Sequence, residues 1–463
     1  MGCGLACLSI DAMSIEALER CVAKMRSAGV SQPAIDNFSH YWQLCAAGAS
    51  GLIAEDTIRP LLEVPSLDSV AVDEADARAA LRQTVLIKLN GGLGTSMGLD
   101  RAKTLLTVRD GRNFLDLIVA QVQHARNAYD ARLPVLFMNS FRTRQDTLAY
   151  LADVPSLAVD GLPLDFLQNA EPKILAEDLS PVDWPTDPSL EWCPPGHGDL
   201  YPALLGSGVL DALIDAGFRY ASVANGDNLG AAPDARLAGW FAASGAPYAA
   251  ELCPRTVNDR KGGHLALRIA DEQLILRDTA QTAPEDMGFF TDEHRHPFFH
   301  TNNLWLDLVQ LRTVLTERAG VLGLPLIRNE KTVDPAVPSS PKVIQLESAM
   351  GAAIEVFVGA KAIVVPRDRF LPVKTTNELL LLRSDVFELG ADGRLIAVAD
   401  IPEISLDPKH YRLVGDFDQL VPVVPSLRRA KALRVQGEWH FDVPTEIVGE
   451  VVLDDTGTAG YYR

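Results

Sequence analysis

The stretch from Thr84 to Lys103, TVLIKLNGGLGTSMGLDRAK, passes from an apolar run into a glycine-dense loop and out to a lysine. Val85, Leu86, Ile87 and Leu89 read as a buried parallel strand that stops at Asn90. Gly91, Gly92, Gly94 and Gly98 follow within eight residues. Glycines without a Cβ let backbone N–H groups approach an anion closely. Lys103 adds the point charge a phosphate needs. Strand, loop and lysine together predict a bound phosphorylated ligand.

Three phosphate loops compete for this pattern. A Walker A loop closes on Gly-Lys-Ser/Thr, and here Gly98 is followed by Leu99. A dinucleotide fingerprint places its third glycine where Met97 stands, and no acidic residue ends a second strand about 20 residues on. Asp116 lies near that distance but within a helical pattern. The third reading is a nucleotidyltransferase loop, GGxGT with a downstream lysine around a nucleoside triphosphate, and it fits all the residues. A bare glycine turn has no need of four glycines with Thr95 and Ser96.

Working outward, residues 1–80 are helical in pattern, with Ser14–Ala28 and Ile35–Ala46 as helices and Gly29 as a stop. They are expected to form a segment packing on the core. From Thr84 strands and helices alternate. Asn113 caps a helix over Phe114–Tyr129, Leu133–Met138 is a strand ending in Asn139-Ser140, and Tyr220–Ala224 is another ending in Asn225-Gly226-Asp227. This predicts an α/β catalytic domain over 81–385, a mainly parallel sheet with helices on both faces, and ligands at the strands' carboxyl ends. Leu379–Leu382 reads as a core helix. Beyond about residue 386 short apolar runs (Leu395–Val398, Leu433–Val435, Glu446–Val452), with one helical piece near Ser426–Lys431, predict a small β domain over 386–463.

The 463 residues call for two or three domains, and the 47% hydrophobic and 22% charged fractions are those of a globular protein. A formal net charge of −19 argues against nucleic acid as a partner. No apolar run reaches a membrane span, and MGCGLACLSI lacks a basic n-region and has Ala6 where myristoylation wants Ser or Thr, so a cytoplasmic protein is expected. Cys3, Cys7, Cys21, Cys45, Cys193 and Cys253 read as free thiols. His294, His296 and His300 lack spaced carboxylate or thiolate partners and read as a loop rather than a zinc site.

The loop KLNGGLGTSMG (Lys88–Gly98) resembles that of UTP–glucose-1-phosphate uridylyltransferases. PPGHGDLY (194–201), NGDNLGA (225–231), KGGHLA (261–266), TNNLW (301–305), VIQLESAMGAAI (343–354) and RFLPVKTTNELLLLRSD (369–385) resemble further family segments, in the family's order. The resemblance covers residues 80 to 460. It implies a Rossmann-like, GT-A-like nucleotidyltransferase core and a C-terminal left-handed β-helix. It also implies that UDP-glucose and pyrophosphate form from UTP and glucose 1-phosphate, reversibly, with Mg²⁺.

Residue by residue, the resemblance gives Lys103 and Lys374 as catalytic cations on the phosphates. Leu89, Asn90, Gly91, Gly92, Gly94 and Thr95 would hold the nucleotide, Gln168 would read the uracil edge, and Gly196 would let the base approach the backbone. Asp227 would meet both nucleotide and metal, a hard oxygen ligand suited to Mg²⁺. His197, Asn225, Gly263, Asn302 and Asn303 would face the sugar. His197 is not expected to act as a base, since a phosphate nucleophile is already ionised. Leu99-Asp100-Arg101-Ala102 departs from the common Cys-Lys-Gly-Pro, which leaves the role of Arg101 open, as Asn169–Lys173 departs from an SRYPR-like run. The alternatives are a broad UDP-sugar or UDP-N-acetylhexosamine pyrophosphorylase and a silent nucleotide-sugar-binding protein. The C-terminal domain is a surface on which a homo-oligomer could assemble.

Overall fold

The computed structural model describes residues 12–256, 259–260 and 262–463. Cys3, Cys7, Ala6 and Lys261 lie outside the described residues. The chain divides into two compact units.

The first unit takes the chain up to Val70 with Phe166–Ala221 and Phe241–Val364. Its leading helices are Ala12–Ser27 and Gln32–Ala46, the second opened by a proline in its first turn, where a missing N–H costs nothing. Phe38, Tyr41 and Trp42 from that helix are buried. The Trp42 indole N–H donates to the Leu179 carbonyl at 3.0 Å. The strand Tyr248–Pro254 runs antiparallel to Phe298–Asp307 and parallel to Lys361–Val364. The connection from residue 254 to 298 carries a hairpin, His264–Arg268 against Leu274–Arg277, and a four-residue helix at Met287–Phe290. Among its described residues there is no long crossover helix, and the returning strand is antiparallel. The mainly parallel sheet expected from the sequence is therefore a mixed one. His300, read as a loop residue, lies within the strand Phe298–Asp307 and is buried.

The second unit comprises Ala71–Asp165, Ser222–Trp240 and Val365–Arg463. Its strand Thr84–Asn90 is buried along nearly its whole length and pairs in parallel with Val135–Asn139. On the other side it neighbours Tyr220–Asn225. The helix Phe114–Tyr129 begins at a full capping box. The Asn113 side chain accepts from the Asp116 N–H at 2.9 Å, and the Asp116 carboxylate accepts from the Asn113 N–H at 3.0 Å. Leu115, Ile118, Val119 and Val122 form its buried stripe. Thr375 and Glu378 make the same box for the helix Thr376–Arg383, whose Leu379, Leu380 and Leu382 are core residues.

Near the C-terminus Glu403–Leu406, Ser426–Val435 and Glu446–Leu453 form a parallel ladder. Ser426–Lys431, expected as a helical piece, belongs to its central strand. The pairing register slips between Ser426 and Arg429 and again between Ala430 and Ala432. These irregularities break the period of two, so Leu427 and Ala430 are buried three residues apart and imitate a helical face. Among the described residues no helix is long and apolar enough to cross a membrane.

Candidate active site

In the second unit the glycine loop is anchored by a small polar cluster at the carboxyl ends of its strands. Asn90 is 3% exposed and spends its amide inward. Its Nδ2 donates to Asn139 Oδ1 at 2.7 Å and Thr147 Oγ1 at 2.8 Å, and its Oδ1 accepts from Thr104 Oγ1 at 2.7 Å. The carbonyls of Asn90 and Gly91 accept from Thr143 Oγ1 and Ser140 Oγ at 2.7 and 2.9 Å. Beyond these anchors Gly92 and Thr95 are exposed and Leu89 and Gly91 half-buried. Gly94 (φ +68°) and Gly98 (φ +77°) hold left-handed backbone at either end of a single helical turn. A Cβ on Gly94 would sit 2.9 Å from Leu99 Cδ1 and 3.2 Å from Lys103 Cγ, so this glycine also makes room for the lysine stem.

Lys103 is returned to the loop by its own N–H, which donates to the Gly92 carbonyl at 3.1 Å. Its ammonium pairs with Asp227 Oδ2 at 2.6 Å and also donates to the Val373 carbonyl. Lys374 follows Val373 directly and is exposed. Asn228 holds that segment in place: its Oδ1 accepts from the Leu371 N–H at 2.8 Å and its Nδ2 donates to the Arg369 carbonyl at 3.2 Å. Residues 103, 227 and 374, far apart in sequence, are thereby collected at one place, with Asn225 half-buried at the strand end and Arg101 exposed.

Among the described residues no three carboxylate, imidazole or thiol groups are arranged to hold a metal. A magnesium ion does not need them, because it commonly takes one or two carboxylates and leaves its other positions to phosphate and water. Asp227 fits that role, since Lys103 engages its Oδ2 and not its Oδ1.

In the first unit Gln168, Gly196 and His197 converge. Gln168 Nε2 donates to the Gly196 carbonyl at 2.9 Å. Gly196 has φ +76°, and a Cβ there would meet the Ser348 carbonyl oxygen at 2.7 Å. Gly196→Ala is expected to cost about 2–4 kcal/mol, combining left-handed strain with overpacking against backbone. An unmoved urea midpoint would show the turn to be more pliable than this. His197 Nδ1 accepts from the Met350 N–H at 2.9 Å, and burial lowers its pKa, keeping the ring neutral. Asp199 closes the turn. Its two oxygens accept from the Asn169 N–H at 2.6 Å and Asn169 Nδ2 at 2.9 Å, and burial pushes its carboxyl up to about 7. Sequence reasoning passed over Asp199, although it stands two residues after His197 in the quoted PPGHGDLY.

Gly263 accepts from the His300 N–H at 2.8 Å, and a Cβ there would meet Asp278 Oδ1 at 2.9 Å. Asn302 adopts φ +60°, and its N–H donates to His300 Nδ1 at 3.1 Å. Burial depresses the His300 pKa to about 4. Asn303 is 1% exposed, and its Nδ2 donates to the buried Glu251 carboxylate at 3.1 Å. The Asn303 amide is thus engaged in the core.

A glycine loop closing a buried strand, with a lysine drawn onto an aspartate at the neighbouring strand end, defines a phosphate-handling α/β protein of the nucleotidyltransferase class. The sequence model of the UTP–glucose-1-phosphate uridylyltransferases matches residues 35–447, and the chain belongs to that family. It is 36% identical over 408 residues to the Solanum tuberosum UTP–glucose-1-phosphate uridylyltransferase, covering 87% of this chain and 81% of that one. It is 37% identical over 377 residues to the Saccharomyces cerevisiae protein of the same name (81% and 74%). A crystal structure of a mutant Leishmania major UDP-glucose pyrophosphorylase in complex with UDP-glucose matches with a TM-score of 0.91, at 42% identity over 97% of each chain.

Proposed function

We propose that the chain is an enzyme that joins UTP and glucose 1-phosphate into UDP-glucose and pyrophosphate, reversibly. An oxygen of the sugar phosphate attacks the α-phosphorus in line, the bond from that phosphorus to the bridging oxygen breaks, and pyrophosphate carries away the electron pair. The nucleophile is already ionised, so no general base is required. Two anions must be held together, which calls for positive charge and fixed donors. Lys103 and Lys374 are assigned the charge, and the N–H groups of Gly91–Thr95 the donors. Mg²⁺, held by Asp227 and the phosphates, would neutralise the leaving group's charge. Gln168 and Gly196 are assigned to the base, and His197, Asn225, Gly263 and Asn302 to the sugar.

What carries the reading is the lysine arrangement in a member of this family: Lys103 against Asp227 and Val373, with Lys374 adjoining. The parallel C-terminal ladder supports a left-handed β-helix there. The buried thiols Cys21, Cys45, Cys193 and Cys253 support a reducing, cytoplasmic setting.

The test is pyrophosphate release from UTP and Mg²⁺ with glucose 1-phosphate, galactose 1-phosphate or N-acetylglucosamine 1-phosphate. Turnover on glucose 1-phosphate, and little on the others, is expected. Equal turnover on several sugars would replace this reading with a broad UDP-sugar pyrophosphorylase. Binding of UDP-glucose without turnover would replace it with a silent binding protein.

A further inference from the structure

An amide side chain can present either an acceptor or a donor, and its surroundings decide which. Gln168 has committed its Nε2 to the Gly196 carbonyl at 2.9 Å. Its Oε1 is left as the acceptor. Uracil offers an N–H at ring position 3, and cytosine offers a lone pair there. An Oε1 facing that position attracts the first and repels the second, so the setting of this amide is a means of choosing between the two bases.

The setting depends on where the Gln168 backbone lies, and the neighbouring residue fixes it. Asn169 gives both its backbone N–H and its Nδ2 to the two oxygens of Asp199, at 2.6 and 2.9 Å. Asp199 is 1% exposed, so these bonds form away from water, and they become charge-assisted as the carboxyl ionises above about pH 7. Gly196 and Asp199 belong to one tight turn, held where the Gly198 N–H donates to the Ser348 carbonyl at 2.8 Å. The segment 168–169 is therefore clamped at two successive residues onto the two ends of a single turn. A side chain kept ionisable in the interior carries a desolvation cost. An asparagine at 199 would fill the same space without it.

We infer that Asp199 is a positioning residue for base selection, fixing the Gln168–Asn169 segment so that the Gln168 amide keeps its acceptor toward the nucleotide base. The inference rests on the reading that Gln168 meets the base. Glu171 is also buried and is pushed up in pKa by burial and by the charges of Asp199 and Glu347. Removing the Asp199 charge relieves Glu171, so the Asp199→Asn protein is expected to fold.

The experiment compares the wild-type protein with Asp199→Asn and Gln168→Leu in steady-state kinetics with UTP, CTP and glucose 1-phosphate. Asp199→Asn is expected to raise KM for UTP about tenfold and to cut the preference for UTP over CTP about tenfold, the value of one charge-assisted hydrogen bond. KM for glucose 1-phosphate should stay within about twofold, because the two bonds that Asp199 makes reach Asn169 and not His197. Gln168→Leu should cut the preference at least as far. Loss of preference in Gln168→Leu with none in Asp199→Asn overturns the inference and leaves the base-reading role standing. An unchanged preference in Gln168→Leu overturns both. A fall in kcat with both KM values raised alike in Asp199→Asn would mark a general structural role and overturn the inference.

Discussion

Lys103→Ala is expected to lower kcat by about 100- to 1,000-fold, the usual consequence of removing one preorganised charge from a developing anion. The lysine is held from several sides. Its backbone donates to Gly92, its stem lies in the space left by Gly94, and its ammonium bonds Asp227 and Val373. An ammonium has three donors. These two bonds leave one for a ligand. On the proposed reading the group is therefore already oriented before the phosphates arrive, and little reorganisation is needed at the moment of reaction. The side chain is 15% exposed, so its charge acts in a medium less screening than bulk water. Replacement by alanine opens no large apolar cavity, so circular dichroism should be unchanged. Retention of more than about a tenth of wild-type kcat would remove Lys103 from the chemistry, because a loss that small is within reach of indirect effects.

Asp227→Asn should lower the rate about 100-fold at low Mg²⁺, and part of the loss should return as Mg²⁺ is raised. Asparagine keeps the shape and one acceptor oxygen but not the charge. Asp227 has two duties that this change separates. One is to pair with Lys103 at 2.6 Å, and the other, on the proposed reading, is to hold the metal through its second oxygen. Weakened metal binding shifts the Mg²⁺ concentration for half-maximal rate. A lost hold on Lys103 does not. A 100-fold loss that ignores Mg²⁺ would therefore assign Asp227 to lysine positioning alone.

Much of this was legible from local sequence. Val85–Leu89 is apolar at every position but Lys88, and four glycines follow within eight residues, more than a simple turn requires. Asn113 and Asp116 mark a helix start because their hydrogen bonds close within four residues. Lys103 and Asp227 could be named from the chemistry of phosphate transfer, although their 2.6 Å pairing, across 124 positions, could not. Three things were hidden, each for a physical reason. The slipped register in Ser426–Val435 gave a strand the spacing of a helix. Asn302 and Asn303 are adjacent on a strand, and the second points into the core against Glu251, which no linear motif records. Asp199 is bonded to Asn169, 30 positions away, and a lone aspartate in sequence resembles any other.

The inward commitment of Asn90 also bears on how this chain can diverge. With its amide tied to Asn139, Thr147 and Thr104, the most polar residue of the loop's root belongs to the scaffold. On the proposed reading, what remains to greet a phosphate is main chain, and main chain is common to every amino acid. Positions 99–102, here Leu-Asp-Arg-Ala, can then vary without altering the cradle, provided that Gly94 stays small and Lys103 stays in place. A lineage is free to rewrite those four letters while inheriting the chemistry of the loop intact.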